Sequence, residues 1–349
     1  MLGRDIEKGL LRHDDIKVIG EVKEIFNNCL INIANLEAPF TKSSNKYKRK
    51  NPNLSFAVDP DLCNFLNKIN ISYVTLANNH ITDYGIEGIR ETISVLKKNK
   101  IDYCGVGKDR YEAYKILEIC NSPLKIGLLA VTAFTSFVRI ASKRNYGVAT
   151  FDYHILDRIL MYNKQYDIII LSIHWGLDYN QYPVPRLLEL IYSLIDKYPN
   201  LRIIIGHHPH LIQPILKYKN SIIACSLGNF LFDEPFLLSR IGMILSVIIN
   251  DNLELTYYYN YCKLTNEQHL QYLSNQDILE ENKRLNIVYN GILNLQKDYF
   301  IMNDKYVINE IKSLFNDFQF IRIIILIHNF GIYNIIRSLI KKIFNKTKI

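Results

Sequence analysis

Short, continuous runs of apolar and β-branched residues alternate along this chain with longer segments whose apolar positions recur every three or four residues. The runs at 30–35 (LINIAN), 71–78 (ISYVTLAN), 123–132 (PLKIGLLAVT), 167–175 (DIIILSIHW), 201–206 (LRIIIG) and 221–229 (SIIACSLGN) read as strands. They lack the apolar–polar alternation of a half-exposed sheet, which suits strands buried on both faces. The segments 85–100 (GIEGIRETISVLKKNK) and 183–198 (PVPRLLELIYSLIDKY) read as helices. The first ends in lysines, as a helix C-terminus favours, and the second has proline near its start. Further on, GMILSVII and LELTYYYNY flank Asn250, Asp251 and Asn252, a good hairpin turn. The pattern predicts an α/β body with some antiparallel content, and no internal repeat is visible.

At 349 residues, 48% hydrophobic and 22% charged, the chain can bury a sizeable core and is not globally disordered. Its net charge of +8 permits nucleic acid, a membrane surface or an anionic polymer as partner and selects none of them. Compositional drift accounts for it equally well. Apart from one short loop the basic residues form no aromatic-rich stripe, so nucleic acid is not expected. The six cysteines contain no CxxC pair and several sit in apolar runs, which reads as buried thiols and leans towards a reducing compartment. The start has no apolar core of signal-peptide length, and no segment reaches the roughly 18 to 20 apolar residues of a membrane span.

Polar residues of ligand type follow the ends of four strands. Glu37 follows the first. Asn79, His80 and Asp83 follow the second. His174 ends a third. His207, His208 and His210 follow a fourth, so three of nine histidines occupy four positions. Sites in open α/β sheets gather beyond the carboxyl ends of strands. His208 precedes Pro209 and is expected to be extended, which would turn His208 and His210 to one side and His207 elsewhere. Two imidazoles on one side make a metal half-site; a hydrogen-bonded polar loop is the alternative. His174 at the end of an apolar strand is a ligand or a structural histidine. Asn79 can ligate, His80 can protonate a leaving group and Asp83 can orient it, or the three form an Asx-rich turn before a helix. Glu37 can bridge two cations or cap a turn.

Taken in order, NLEAPFT, ANNHITDYGIEGIRETISVLKKNKIDYCGVG, SIHWGLDYNQYPVP, GHHPHLIQPI and SLGNFLFD resemble the CapA family. These are the capsule and poly-γ-glutamate biosynthesis proteins of the calcineurin-like metallophosphoesterase superfamily. The resemblance covers about residues 1–250. It implies a four-layer α-β-β-α sandwich over 1–261, with a dinuclear metal centre at the strand ends. It makes Glu37 the bridging carboxylate, Asn79, His174 and His208 ligands of one ion, His210 a ligand of the other, and His80 the proton donor. Mn, Fe or Zn would suit such nitrogen and oxygen ligands alike.

One departure stands out. The family opens with a strand ending in Gly-Asp, whereas this chain begins at MLGRDIEKGL. As given, it lacks that strand and its metal-binding Asp. His210 is then expected to hold its ion with little help beyond Glu37, and the role of Arg4 falls into doubt.

The loop at 41–51 (TKSSNKYKRKN) follows Glu37. Its Lys46, Lys48 and Arg49 would attract a phosphoester or an anionic polymer if the loop rims the site; a merely solvated loop is the alternative. Residues 262–349 are expected to be a helical extension outside the resemblance. From Phe320 its apolar positions interleave with Arg322, Arg337, Lys341 and Lys342, which suits helices that pack on the body, hold a partner or lie on a membrane surface.

The sequence therefore predicts a CapA-like protein of capsule or exopolymer assembly with a metal-dependent hydrolytic centre. The alternative is a non-catalytic assembly factor that keeps the fold and holds other capsule-assembly proteins. A nuclease of the same superfamily is a weaker third reading. The chain as given reads as cytoplasmic or peripheral to a membrane, and as membrane-anchored and extracytoplasmic if an upstream segment precedes it.

Overall fold

The computed structural model describes residues 2–3, 6–7, 10, 18–43, 55–119, 123–134, 138–233, 236–295, 297–317 and 320–338. Among them, β1 (Ile33–Asn35), β2 (Tyr73–Thr75) and β3 (Asp102–Cys104) form a parallel sheet in that order. A short ribbon pairs β4 (Val106–Gly107) with β7 (Gly147–Val148). The larger sheet holds β5 (Leu117–Ile119), β6 (Ile126–Thr132), β8 (Ile168–His174), β9 (Leu201–His207), β10 (Ile212–Tyr218) and β11 (Ser221–Leu227). Its order is β10-β11-β9-β8-β6-β5, with the four inner strands parallel and the two edges antiparallel. An antiparallel meander of β12 (Ile241–Ile249), β13 (Leu255–Leu264) and β14 (Leu270–Tyr272) follows.

The two parallel-containing sheets pack face to face. Tyr73, Ala77 and Cys104 of the smaller meet Leu128, Ile168, Ile170 and Ile203 of the larger, and Val247, Ile249 and Leu255 of the meander close that core. β6 and β8 are buried at every position, as their unbroken apolar runs require. Helix α1 (Gly85–Lys98) covers the outer face of the smaller sheet, its Ile89 and Leu96 against Val74, Leu76 and Ile101. Helices α2 (Tyr153–Tyr162) and α3 (Pro185–Lys197) cover the outer face of the larger, through Leu156 and Leu160 and through Leu187, Ile191 and Leu194. The layers run helix, sheet, sheet, helix, the α-β-β-α sandwich expected.

Strand β10 is absent from the apolar pattern because Pro214 interrupts it. It lies at the sheet edge, where a missing N–H is tolerated. The boundary expected at 261 falls inside β13. Residues 262–264 and 270–272 are strand, and the helical part begins at Asn275. Among the described residues the helices α4 (Asn275–Leu293), α5 (Lys297–Asp317) and α6 (Phe320–Phe330) follow, and 332–338 are helical too. Val288 and Ile292, Tyr306 and Val307, and Leu326 and Phe330 bury their side chains in the core beneath α2 and α3.

The polar pair inside the apolar tail helps to dock it. Asn329 Nδ2 donates to the Phe151 carbonyl at 2.8 Å, its Oδ1 accepts from the Tyr153 amide, and His328 Nδ1 lies 2.9 Å from Asp152 Oδ2. Among the described residues no helix is long and apolar enough to cross a membrane.

Candidate metal centre

The loops leaving the carboxyl ends of β1, β2, β8, β9 and β11 converge. Asn78, fully buried, ties the first two together. Its Nδ2 donates to the Leu36 carbonyl at 2.8 Å and to Asn35 Oδ1 at 3.2 Å. Its Oδ1 accepts from the amides of His80 and Ile81 at 3.1 and 2.9 Å. Asn35 Nδ2 in turn donates to Glu37 Oε2 at 3.1 Å. This network fixes Glu37 on one side and Asn79–His80 on the other.

Glu37, Asn79 and His174, all buried, meet at one point. His174 Nε2 lies 2.9 Å from Asn79 Oδ1 and 3.4 Å from Glu37 Oε1. Ligand atoms around one ion with bonds of about 2.0–2.2 Å sit at such separations. His174 Nδ1, which points away from that meeting point, is buried without a hydrogen-bond partner among the described residues. Burial holds the His174 pKa well below its ordinary value, and the neighbouring imidazoles add to this. The ring therefore stays neutral, as a ligand must be.

A second set shares Glu37. Glu37, His208 and His210 each offer a ligand atom, all within 4.8 Å of one another. The family resemblance groups His208 with Asn79 and His174. The His208 ring lies between the two sets, 4.8 Å from that of His174 and 6.1 Å from that of His210. His210 Nδ1 lies 2.9 Å from Asn229 Oδ1, an atom that only accepts, so Nδ1 carries the proton and Nε2 offers its lone pair. Asn229 is held by donating from Nδ2 to the Ser239 carbonyl at 2.7 Å.

The backbone of this loop differs from expectation. His208 is not extended: its φ is +100°, and that of His210 is +57°. Positive φ is unfavourable for both residues, and such strain gathers at functional sites. The two imidazoles still come together, but through two left-handed residues. His207, the last residue of β9, pairs in register with His174 and takes no part in the Glu37–His208–His210 set.

A further carboxylate, that of Asp178, approaches the two histidines. Asp178 Oδ1 lies 3.4 Å from His208 Nε2 and 3.9 Å from His210 Nε2. Gly176, at φ +93°, turns the chain after β8, and the Tyr179 amide donates to the Pro209 carbonyl at 2.8 Å. Together these contacts swing Asp178 over the histidines. The sequence signal was present in HWGLDYN, as a carboxylate four residues beyond a strand-end histidine. Asn229, in SLGNFLFD, was missed for the same reason, having no role until the strands are paired.

His80 Nδ1 lies 2.9 Å from Asp83 Oδ2, which also accepts from the Phe56 amide at 2.8 Å, and the Phe56 ring stacks 4.1 Å from that of His80. The pair sits beside the cluster, close enough for His80 to act on the charge of His174. Lys46, Lys48 and Arg49 lie outside the described residues. Lys42 of the same loop pairs with Asp59 and Asp61, at 3.3 and 3.0 Å.

Residues 1–234 match the family model described as bacterial capsule synthesis protein PGA_cap. The chain is similar to the capsule biosynthesis protein CapA of Bacillus anthracis, 27% identical over 72% of this chain and 62% of that protein. It is also similar to the PGA biosynthesis protein CapA of Bacillus subtilis (strain 168), 28% identical over 72% of this chain and 66% of that one. The match thus spans less than two thirds of either relative. Among solved structures, the NAD nucleotidase of Haemophilus influenzae is similar over 64% of this chain and 47% of its own, at 16% identity and a TM-score of 0.38.

Proposed function

Since this chain belongs to the bacterial capsule synthesis protein family, we propose that it serves the assembly of a capsule polymer of the poly-γ-glutamate type through a divalent-metal hydrolytic centre. The relatives named for capsule and PGA biosynthesis support the polymer context. One observation carries the chemical part: a single buried carboxylate, Glu37, stands between two sets of nitrogen and oxygen donors delivered by two sheets. Asn79 and His174 would hold one ion, His210 and Asp178 the other, with Glu37 between them and His208 within reach of both. Mn, Fe or Zn suits this donor set.

Two such ions, when bound, supply positive charge to a phosphoester and activate water near neutral pH. The residues supply the rest. Asp83 accepts the Nδ1 proton of His80 and stabilises its charged form, leaving Nε2 to pass a proton to a departing alkoxide. Phe56 and Asp83 fix that ring in place. The cations Lys46, Lys48 and Arg49 would gather an anionic polymer or phosphoester towards the site.

Metal analysis of the purified chain, with turnover of bis(p-nitrophenyl) phosphate, tests this reading. We expect bound divalent metal and a turnover abolished in His208→Ala. Bound metal without turnover in the parent protein would favour the non-catalytic assembly factor, holding capsule-assembly proteins or a membrane surface through its C-terminal helices.

A further inference from the structure

A second cleft, of about 280 Å³, opens between β10, the β12–β13 hairpin and α4. None of the residues of the metal cluster lines it. Its wall is aromatic. Tyr257, Tyr259 and Tyr261 alternate along β13 and so share one face of the sheet. Tyr259 and Tyr261 bring their ring centroids to 5.2 Å, and Tyr289 of α4 completes the wall. Tyr261 is a core residue, its hydroxyl donating to Asn282 Oδ1 at 2.9 Å. Tyr259 is 41% exposed, and Lys217 stands over the far ring, Tyr257, at 5.3 Å.

The polar groups of the lining narrow the ligand. No charged side chain lines the cleft. Lys217, over Tyr257, is not among the lining side chains, so among the described residues an anionic polymer would find no cation within the cleft, and a cation no carboxylate. What remains are phenol hydroxyls and the amides of Asn286, of Asn282, whose Oδ1 already accepts from Tyr261, and of Gln213, whose Nε2 already donates to the Asn180 carbonyl at 2.9 Å. Gln213 is 1% exposed, and its Oε1 is buried without a hydrogen-bond partner. The ligand is then neutral, rich in groups that both donate and accept, and apolar on one face. A pyranose ring has these features: its axial C–H bonds sit on the electron-rich face of an aromatic ring, and its hydroxyls pair with amides. The volume, just under the about 300–1,000 Å³ of drug-sized sites, suits one ring of a longer chain.

We infer that this tyrosine-lined cleft is a binding site for a neutral sugar residue, separate from the hydrolytic centre. It places a saccharide chain, beside the acidic polymer, among the molecules this protein handles. Calorimetric titration of the full chain with chitotriose and with maltotriose tests it. Saturable binding of either trisaccharide in about the millimolar range is expected. It should weaken at least about tenfold in Tyr259→Ala and in Asn286→Ala and stay unchanged in His208→Ala, which disables only the other site. Both cleft residues are exposed, so far-ultraviolet circular dichroism should remain that of the parent. Undiminished binding in Tyr259→Ala would overturn the inference. So would failure of both sugars to bind, or capture of a proline-rich decapeptide or oligo-γ-glutamate in their place.

Discussion

Asp178 Oδ1 lies 3.4 Å from His208 Nε2, although the two residues leave different strands and Asp178 is half exposed while His208 is buried. A half-exposed carboxylate at the mouth of a buried histidine pair can close on a cation without being needed to fold the site. Asp178→Asn should therefore leave thermal stability without metal nearly unchanged. Its affinity for Mn²⁺ or Zn²⁺ should fall about 10- to 100-fold, as loss of a ligand or of its hydrogen-bonded support does. Calorimetric titration with each ion measures this. Unchanged affinity would leave Asp178 a surface residue with no part in the centre.

His80 and Asp83 make the opposite separation. Their contact is an imidazole–carboxylate pair that includes none of the residues placed as ligands. His80→Ala should lower phosphodiester turnover by about 10²- to 10⁴-fold, the range for loss of a general acid, with metal content unchanged. Asp83→Asn should lower it less and shift the alkaline limb of the pH–rate profile downwards, because an amide no longer stabilises the charged ring. Metal lost together with turnover in His80→Ala would mean that His80 is a ligand and not a proton donor.

The layers were legible because each inner strand is an unbroken apolar run and each covering helix keeps its period; β6, β8, α1 and α3 lie within a few residues of where the pattern places them. The places of Glu37, Asn79, His208 and His210 just past strand ends, and of His174 at one, were legible too. What stayed hidden depends on chain reversal. Asp178 gains meaning only when Gly176 folds the loop back onto Pro209, and Asn229 only when β11 lies beside β9. At His208 the restriction before proline predicts extended backbone, whereas the residue adopts a φ of +100°. The Tyr cleft was written in TYYYNY, but alternation alone does not say which face lacks cover.

The acid side of stability follows from His174 and His207. Burial pushes His207 down to about 4 and His174 well below its usual value. The unfolded chain takes up protons near pH 6.5 that the folded chain refuses, so stability is complete above that pH and falls as pH drops from 6.5 towards 4. His207 keeps part of its surface in solvent, which limits its share to on the order of 1–2 kcal/mol. Urea midpoints in excess chelator at pH 7.5, 6 and 5 should fall in that order. The fall should be shallower in His207→Gln, which cannot charge; equal slopes would mean that His207 contributes nothing to the acid limb.

The strained loop yields the last prediction. His208 holds φ at +100°, a region glycine enters freely and residues with a Cβ do not. Removing the imidazole therefore has two separable consequences. In metal-free protein His208→Gly relieves the backbone while His208→Ala keeps the strain, so the glycine variant should be the more stable by about 1 kcal/mol. Both variants lose the ligand nitrogen. The parent should gain about 2.7 kcal/mol at a metal concentration one hundred times its dissociation constant, whereas neither variant should gain more than a fraction of that. Chemical denaturation of the three proteins with and without Mn²⁺ gives both comparisons at once. Alanine equal to glycine without metal would show that the loop carries no backbone strain, and full stabilisation of either variant by metal would remove His208 from the ligand set.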